Sequence, residues 1–401
     1  MSTSACQGNT TLPGTAPQRA HLSACDNAQA FEPALTPLAQ DGRPLTPAHP
    51  DWQDWTFQFK HRIKTLDALK QWVTVTPEEE KAFQAAGKNL PFAVTPYYMQ
   101  LASGPNASAA LRKTIIPRLS EFTTSPEELV DPCGEDGAMV VPGLVHRYPD
   151  RVLLLVNETC AVYCRYCTRS RLVGSGEHEV DLEAAYNYLE QHPEIHDVLI
   201  SGGDPLVMSD AKLEKIIARL KQIPSIDLVR IGTKIPVVMP QRITDDFVAM
   251  LKKYAPMYLS IHFLHPDEIT PEVEQACNKL ADAGVMTFSQ TVLLNGVNDT
   301  IDVMKPLMRK LVNLRVRPYY IYQCDPVQGT RHFRTRVETG IKLMEQLRGH
   351  LSGYCIPTFV IDAPGGGGKI PVGPQYVLSQ NEQETVLRNY KQQEYRYVEP
   401  V

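Results

Sequence analysis

Residues 160–171 of the chain read CAVYCRYCTRSR and place Cys160, Cys164 and Cys167 in the spacing C-x3-C-x2-C. Three thiolates so close together can hold three irons of a 4Fe–4S cubane and leave the fourth iron without a protein ligand. A structural zinc site would need a fourth Cys or His close by, and the next cysteine along the chain is Cys277. The spacing therefore favours an iron–sulfur cluster whose open iron can bind a small chelating molecule and pass it an electron.

The composition is that of a soluble globular protein. The chain has 401 residues, of which 43% are hydrophobic and 21% charged, enough for one large α/β domain with extensions. A net charge of −5 gives no reason to expect nucleic acid or an anionic membrane as a partner. The N-terminus lacks the features of a signal peptide, and apolar runs such as 152–156 are too short to span a bilayer. Nine cysteines, three of them needed as thiolates, indicate a reducing cytoplasm.

Four segments are predicted along the chain: a flexible arm at 1–47, a helical region at 48–140, a barrel domain at 141–370 and a short C-terminal extension at 371–401. The arm shows no sustained periodicity, and its Cys6 and Cys25 are interpreted as unliganded thiols. In the helical region, residues 51–72 have a helical pattern, and Thr76 precedes three acids as the cap of a further helix.

Short apolar strands then alternate with amphipathic helices. Strands are predicted at 152–156, 197–201, 228–232, 257–263, 287–294, 318–322 and 357–361. Helices are predicted between them, one of them capped by Thr270 and closed by Gly284. Six or more βα units predict an α/β fold with a parallel sheet, and we expect a partial (β/α)6 barrel of the TIM type.

Chemically unusual residues come at or just after the ends of these strands. They are the three cysteines, Gly202, Gly203, His262, Gln290, Asp325, Asp362 and Lys369. Because the carboxyl ends of parallel strands meet at one rim, where βα barrels place their chemistry, we predict a single site built from many loops.

Two stretches suggest a phosphate-bearing cofactor. In DAPGGGGK (362–369) the phosphate-loop pattern fails at Ala363 and Ile370, but Lys369 can form a Schiff base with pyridoxal phosphate (PLP). An exposed lysine after such a loop is more often only solvated. Before the first strand, RYPDR (147–151) can bind a phosphate by charge-assisted hydrogen bonds or form a structural ion-pair corner.

The spacing of the cysteines is the signature of radical S-adenosylmethionine (SAM) enzymes, and longer blocks resemble the lysine 2,3-aminomutases among them. The resemblance covers residues 51–390 and rests on DWQDW (51–55), HRYPDRV (146–152), ISGGDPL (200–206), PVVMPQRIT (236–244), HPDEIT (265–270), RPYYIYQCD (317–325), LRGHLSGYC (347–355) and DAPGGGGK (362–369). It implies a radical SAM type of barrel and an isomerase that moves the α-amino group of an amino acid from C2 to C3. The implied cofactors are a 4Fe–4S cluster, SAM and PLP, and the implied electron donor is a flavodoxin or ferredoxin.

The resemblance also implies roles for individual residues. Cys160, Cys164 and Cys167 would ligate the cluster, and Lys369 would be the catalytic lysine that carries PLP. The PLP phosphate side would be held by Arg147, Tyr148 and Arg151, with Tyr322 nearby. The SAM pocket would be lined by Ser201, Gly203, His262 and Gln290, and the substrate carboxylate would pair with Arg169.

The nature of the substrate follows from Asp325 and Asp362, which can both face one cavity. Two carboxylates there without a cation would repel each other, and a cationic side chain of the substrate resolves that conflict. The family uses this pair for the lysine ammonium, whereas the plainer interpretation is that each Asp caps a loop. A guanidinium fits two carboxylates as readily as an ammonium does. L-lysine is therefore the expected substrate, and L-arginine is the alternative.

Three features depart from the family pattern. Thr300 stands where longer members have a cysteine, and no cysteine follows Cys355, so we expect the intersubunit zinc site of those members to be absent. A homo-oligomer of two or more copies is expected, although a family-type tetramer is then in doubt. Ser170 interrupts a usual run of three arginines and Leu264 replaces a commonly polar residue, and both positions can tune the substrate pocket.

Two further functions stay open. Aminomutases that modify a lysine of a translation factor are shorter, and the N-terminal helices and Gln323-Cys324-Asp325 here fit the free amino acid type better. A non-catalytic iron–sulfur or zinc protein would leave Lys369 and the aspartate pair without a purpose.

Overall fold

A ten-stranded sheet organises the chain. The computed structural model describes residues 37–85, 90–104, 107–176 and 179–400, so the predicted arm with Cys6 and Cys25 lies mostly outside the described part. The helices of the described part are α1 (Trp55–Lys60), α2 (Leu66–Lys70), α3 (Pro77–Ala85), α4 (Pro96–Leu101), α5 (Ala109–Ile115), α6 (Leu182–Gln191), α7 (Asp210–Lys221), α8 (Ile235–Val238), α9 (Asp245–Lys253), α10 (Pro271–Asp282), α11 (Ile301–Asn313) and α12 (Val337–Leu347). Its helices include none that is long and apolar enough to cross a membrane.

The strands form two sheets. The large sheet has the order β1 (Met139–Val141), β2 (Leu144–Tyr148), β3 (Arg151–Leu155), β4 (Asp197–Ser201), β5 (Leu228–Thr233), β6 (Tyr258–His262), β7 (Met286–Leu293), β8 (Arg317–Gln323), β9 (Thr358–Ala363) and β10 (Gly368–Pro371). The small sheet comprises β11 (Val377–Gln380), β12 (Glu384–Arg388) and β13 (Glu394–Val398).

Strands β3 to β9 are parallel, and each pairs with the next along the chain. Each connection between them carries at least one helix, so the six βα units are present as predicted. Antiparallel strands extend both edges, β1–β2 beside β3 and β10 beside β9. Within the described residues β1 and β10 do not pair, so the sheet is an open, partial barrel and not a closed one. This confirms the predicted α/β fold with a parallel sheet.

The core follows the predicted helical periodicity. In α7 the residues Leu213, Ile216, Ile217 and Leu220 are buried along one face, and burying each such side chain contributes about 1.5–3 kcal/mol. The cap of α10 is also as predicted, because the Thr270 hydroxyl accepts a hydrogen bond from the backbone N–H of Val273 in the first turn of the helix. The seven predicted strands are all present, each with ends displaced by at most two residues from the prediction.

Residues 51–72, predicted to have a helical pattern, form two short helices and not one. The stretch divides into α1 and α2 because Thr65 accepts the Ala68 N–H at 3.2 Å and starts a second helix. Between them the backbone of Ile63 exchanges hydrogen bonds with Val94 at 2.8 and 3.1 Å, which a continuous helix would forbid. The predicted cap at Thr76 is confirmed, since its hydroxyl accepts the Glu79 N–H at 3.2 Å.

The C-terminal extension forms the small antiparallel sheet β11–β13. Sequence reasoning assigned it no structure. The strands β11 and β13 have four and five residues and are exposed along their whole length, so they bury no face that a sequence pattern would reveal.

Candidate active site

The cysteine loop follows β3 and packs against the turn after β4. Gly203 donates its N–H to the Asn157 carbonyl at 2.7 Å, and a Cβ at Gly203 would lie 2.5 Å from the Thr159 carbonyl oxygen. Gly202 has a φ of +128°, which side chains rarely adopt. The two glycines therefore let the β4 turn approach the start of the cysteine loop as no other residue could.

The N-terminal helical region clamps the same loop from outside. The Tyr163 N–H donates to the Ala93 carbonyl at 3.0 Å, and the Arg165 N–H donates to the Thr114 carbonyl at 2.9 Å. The Arg165 side chain is buried and forms an ion pair with Glu121. Contacts from several separate elements thus hold the loop in one conformation.

The three thiols of the loop are free and crowded together. Burial raises the pKa of the Cys160 thiol, and Cys167 and Cys164 beside it raise it further. Burial together with Cys164 raises the pKa of Cys167 to about 11. A metal cluster is the partner that stabilises such neighbouring thiols as thiolates, so the donor set fits the predicted cluster.

A buried lysine lies beside the loop, on the turn after β5. The Lys234 ammonium contacts the Glu268 carboxylate at 2.6 Å and the His262 carbonyl at 3.3 Å. Burial, Lys234 and Arg169 lower the pKa of His262 to about 3. The imidazole is therefore neutral, and it can serve a ligand by hydrogen bonding without carrying a charge.

His262 and Gln290 are register partners in β6 and β7. His262 is the last residue of its strand, as predicted, but Gln290 lies inside β7, three residues before its end. The predicted strand 287–294 already contains Gln290, so its place inside β7 agrees with that strand, although it lies further from the strand end than His262 does. Both side chains still point to the same face of the sheet, since register partners share a face.

Arg169 is held by an acid that sequence reasoning missed. Its Nε donates to both carboxylate oxygens of Glu135 at 3.0 Å, and its Nη2 donates to one of them at 2.8 Å. Its Nη1 donates to the Ser201 hydroxyl at 3.2 Å. The structure thus joins two residues predicted for different ligands, Ser201 for SAM and Arg169 for the substrate carboxylate.

Asp325 and Asp362 line one cavity of about 410 Å³, and the thiol of Cys133 faces them. One carboxylate oxygen of each Asp and the Cys133 sulfur all lie within 4.8 Å of one another. Burial and the charge of Asp362 raise the pKa of Asp325 to about 6, although the Thr168 hydroxyl donates to it at 2.8 Å. The two carboxylates are therefore close enough to bind one cation.

Lys369 lies in β10, not on the end of a parallel strand as expected. Its ammonium contacts the Asp362 carboxylate at 3.0 Å and lies 5.5 Å from the centre of the Tyr322 ring. The backbone N–H of Lys369 donates to the Tyr148 hydroxyl at 2.9 Å. The glycine run before it turns back on β9 so that Lys369 and Asp362 become cross-strand partners.

The two arginines of RYPDR lie apart from each other. Arg147 donates to the Cys133 carbonyl and lies beside Gly366. Arg151 starts β3, covers the Tyr148 ring at 3.9 Å and pairs with Asp150 at 2.8 Å. The structure places Arg147 and Tyr148 beside the glycine loop. Arg151 is paired with Asp150, and its role in binding a phosphate stays a prediction.

Two family profiles match the chain. Residues 154–305 match the radical SAM superfamily, and residues 344–401 match a family described as lysine-2,3-aminomutase. The L-lysine 2,3-aminomutase of Acetoanaerobium sticklandii is 52% identical over 87% of this chain and 85% of its own length. The enzyme of the same name from Clostridium subterminale is 51% identical over 88% of this chain and 85% of its own.

The chain belongs to the lysine 2,3-aminomutase family. It is accordingly an isomerase, a radical SAM 2,3-aminomutase. Radical SAM enzymes depend on a 4Fe–4S cluster and SAM, and the crowded thiols of the cysteine loop are compatible with that cluster. The family also contains a relative with another substrate, since the glutamate 2,3-aminomutase of Clostridioides difficile is 42% identical over 85% of this chain and 81% of its own length.

In this aminomutase, Glu135 and Cys133 are the site residues that sequence reasoning missed. Glu135 carried a signal, because it lies in an acidic stretch with Asp131 and Asp136 while the cysteine loop offers Arg169 and Arg171. Cys133 carried none, since a single cysteine in a loop is uninformative until the fold places it beside two carboxylates.

Proposed function

We propose that this aminomutase is PLP-dependent and converts L-lysine to β-lysine. The observation that carries the proposal is the partly buried pair Asp325 and Asp362, whose carboxylates lie close enough to share one cation. Two relatives at about half identity are named L-lysine 2,3-aminomutase, which supports the same substrate.

Asp325 is the carboxylate that lacks a cation. Among the described residues it forms no ion pair, and the ammonium of Lys369 contacts Asp362 instead. Its raised pKa shows that ionising Asp325 is unfavourable in the protein alone. An ammonium of the substrate would relieve this, so binding energy becomes available only for a basic side chain.

The residues around Lys369 fit PLP. The lysine side chain is about one-third exposed, as it must be to react with a cofactor, and the Tyr322 ring lies beside it. Gly365, Gly366 and Gly368 all have positive φ angles, so their backbone can approach a phosphate closely. PLP supplies an electron sink that binds the migrating amino nitrogen when it is present. Arg147, Tyr148 and Arg151 are the residues we propose for its phosphate side.

The residues around the cysteine loop fit the cluster and SAM. Cys160, Cys164 and Cys167 are proposed as the cluster ligands, and Ser201, Gly203, His262 and Gln290 as the lining of the SAM pocket. When bound there, the cluster and SAM would supply the radical chemistry of the reaction. The contribution of the chain is to hold both ends of the substrate so that C3 faces the radical and to exclude competing reactions.

Lysine is favoured over arginine by the charges in the cavity. Besides the two aspartates, the charged residues that line it are Arg334 and Arg336. A guanidinium that extended past the aspartates would approach these like charges, whereas a compact ammonium ends between the carboxylates.

We further propose four parts with the boundaries predicted above, a homo-oligomeric assembly and a cytoplasmic location, with a flavodoxin or ferredoxin as the electron donor. The clamp of the N-terminal region on the cysteine loop supports a structural role for residues 48–140.

The test is anaerobic reconstitution of the full chain with iron, sulfide and PLP, followed by SAM, a reductant and either lysine or arginine. We expect β-lysine, detected by chromatography and mass spectrometry, and no product from the Lys369→Ala variant. Faster formation of β-arginine would overturn the substrate, and cleavage of SAM without isomerisation of either amino acid would overturn the interpretation of the aspartate pair.

A further inference from the structure

The Arg169–Glu135 pair lies close to both the cluster cysteines and Cys133, the thiol near the two aspartates. Arg169 is close enough to Cys167 on one side and to Cys133 on the other to affect the pKa of both thiols. Its side chain is 24% exposed, whereas that of Glu135 is 6% exposed. The guanidinium is therefore the more accessible member of the pair.

The pair leaves part of the guanidinium available. Arginine has five N–H donors. Glu135 takes the Nε–H and one on Nη2, and Ser201 takes one on Nη1. Among the described residues, one donor on Nη1 and one on Nη2 thus remain. Each of these donors can form a charge-assisted hydrogen bond with a carboxylate oxygen.

Glu135 is ionised and surrounded by cations. Burial raises the pKa of Glu135, but Arg169, Arg171 and Arg147 outweigh burial and hold the pKa below its usual value. Arg171 lies 3.6 Å from Glu135 and is bound more closely by Asp136, at 2.8 Å. The main ion-pair partner of Glu135 is therefore Arg169, whereas that of Asp136 is Arg171.

We propose that Glu135 is a positioning residue that holds the side of Arg169 so that its remaining donors bind the α-carboxylate of the amino acid substrate. The inference rests on the proposed function and deepens it. The opposite arrangement, in which Glu135 occupies the place of the substrate carboxylate and must leave, makes the opposite prediction. Removing Glu135 weakens amino acid binding if it positions Arg169 and strengthens binding if it competes.

The experiment compares Glu135→Gln and Glu135→Asp with Asp136→Asn in the reconstituted enzyme. The amide introduced by Glu135→Gln turns donors toward the guanidinium, so KM for lysine should rise about tenfold, the loss of roughly one charge-assisted hydrogen bond. The change in kcat should be smaller. The Glu135→Asp variant keeps the charge on a shorter side chain and should restore part of the affinity. Asp136→Asn is the matched control, because it removes a neighbouring acid that does not contact Arg169, and its KM should stay within about twofold.

A second measurement separates positioning from general damage. Lysinamide lacks the carboxylate, so its dissociation constant, measured by calorimetry, should be the same in wild type and Glu135→Gln, while that of lysine rises. An unchanged or lower KM for lysine, or an equal weakening of lysine and lysinamide, would overturn the inference.

The same binding measurement distinguishes the two proposals. If the wild type binds lysine in a Glu135-dependent way but isomerises neither lysine nor arginine, the proposed function fails and the inference stands. If it isomerises lysine and the Glu135 variants bind it normally, only the inference fails. If it does not bind lysine, both fail.

Discussion

Glu135 is a buried carboxylate and Asp325 a partly buried one, and their electrostatic surroundings are opposite. Glu135 has guanidinium partners, and its pKa is held low. Asp325 has a hydroxyl and a second carboxylate as neighbours, and its pKa is raised to about 6. The ion-paired carboxylate of Glu135 can hold a neighbouring side chain in place. The carboxylate of Asp325 has no counter-charge of its own, so it can bind a cationic ligand.

The largest expected effect comes from Arg169→Met. It removes the guanidinium that contacts Glu135 most closely and leaves Arg171 at 3.6 Å, so the free energy of unfolding should fall by about 2–3 kcal/mol in denaturant titrations, the size of a lost hydrogen bond to a charged group. The double variant Arg169→Met/Glu135→Gln should recover most of that loss, because no uncompensated charge remains. If Arg169→Met were as stable as the wild type, the Arg169–Glu135 ion pair would not contribute to the stability of the protein.

The next largest effect is on the ligand side. Asp325→Asn should lower kcat/KM for lysine at least about thirtyfold, because a buried ammonium would lose a charged partner. It should not lower stability, since the ionised form of Asp325 is already unfavourable in the protein alone. Cluster absorbance serves as the control for assembly. Unchanged kcat/KM would remove Asp325 from substrate recognition.

The two carboxylates should also respond to pH with opposite signs. The pKa of Asp325 is raised from 3.8 to about 6, so its contribution to stability is full below pH 3.8 and is lost as the pH rises through about 6. Glu135, with a lowered pKa, contributes stability above its usual value of 4.5 and loses it on acidification. Unfolding free energies of Asp325→Asn and Glu135→Gln across pH 4–7 test both signs.

Substrate binding should follow the ionisation of Asp325. Between pH 5 and 7 the ionised fraction rises about tenfold for a group with a pKa near 6, and kcat/KM for lysine should rise with it. This rise of kcat/KM with pH should disappear in Asp325→Asn. A rise that persists in the variant would report the ionisation of another group.

The smallest effect is expected for Cys133→Ala. Burial, with the charges of Asp325 and Asp362, raises the pKa of the Cys133 thiol to about 12, so the thiol is neutral and adds no charge to the cavity. We expect KM for lysine to change less than about threefold, the range of a lost neutral contact. A loss as large as that of Asp325→Asn would show that the thiol takes part in binding the cation.

Much of this site could be predicted from local patterns. The three cysteines, the glycine pair after β4 and the strands themselves follow from spacing and periodicity over a few residues. The place of Lys369 was harder to predict, because it lies on an added antiparallel strand, β10, that no local pattern indicated. Strand ends are set by sheet partners, which a local pattern does not contain.

The sequence by itself determined the family, the fold class and the cysteine ligands, because three thiols within one short loop are neighbours in any fold. Only the tertiary structure decided which charges are compensated. Glu135 and Arg169 are 34 residues apart in the chain, and Thr168 reaches Asp325 across 157 residues. The sequence does not show whether a guanidinium will lie beside an acidic residue. Burial and neighbouring charges, which depend on the fold, set the pKa of each carboxylate and so decide whether it forms an ion pair within the protein or is left to bind a cationic substrate.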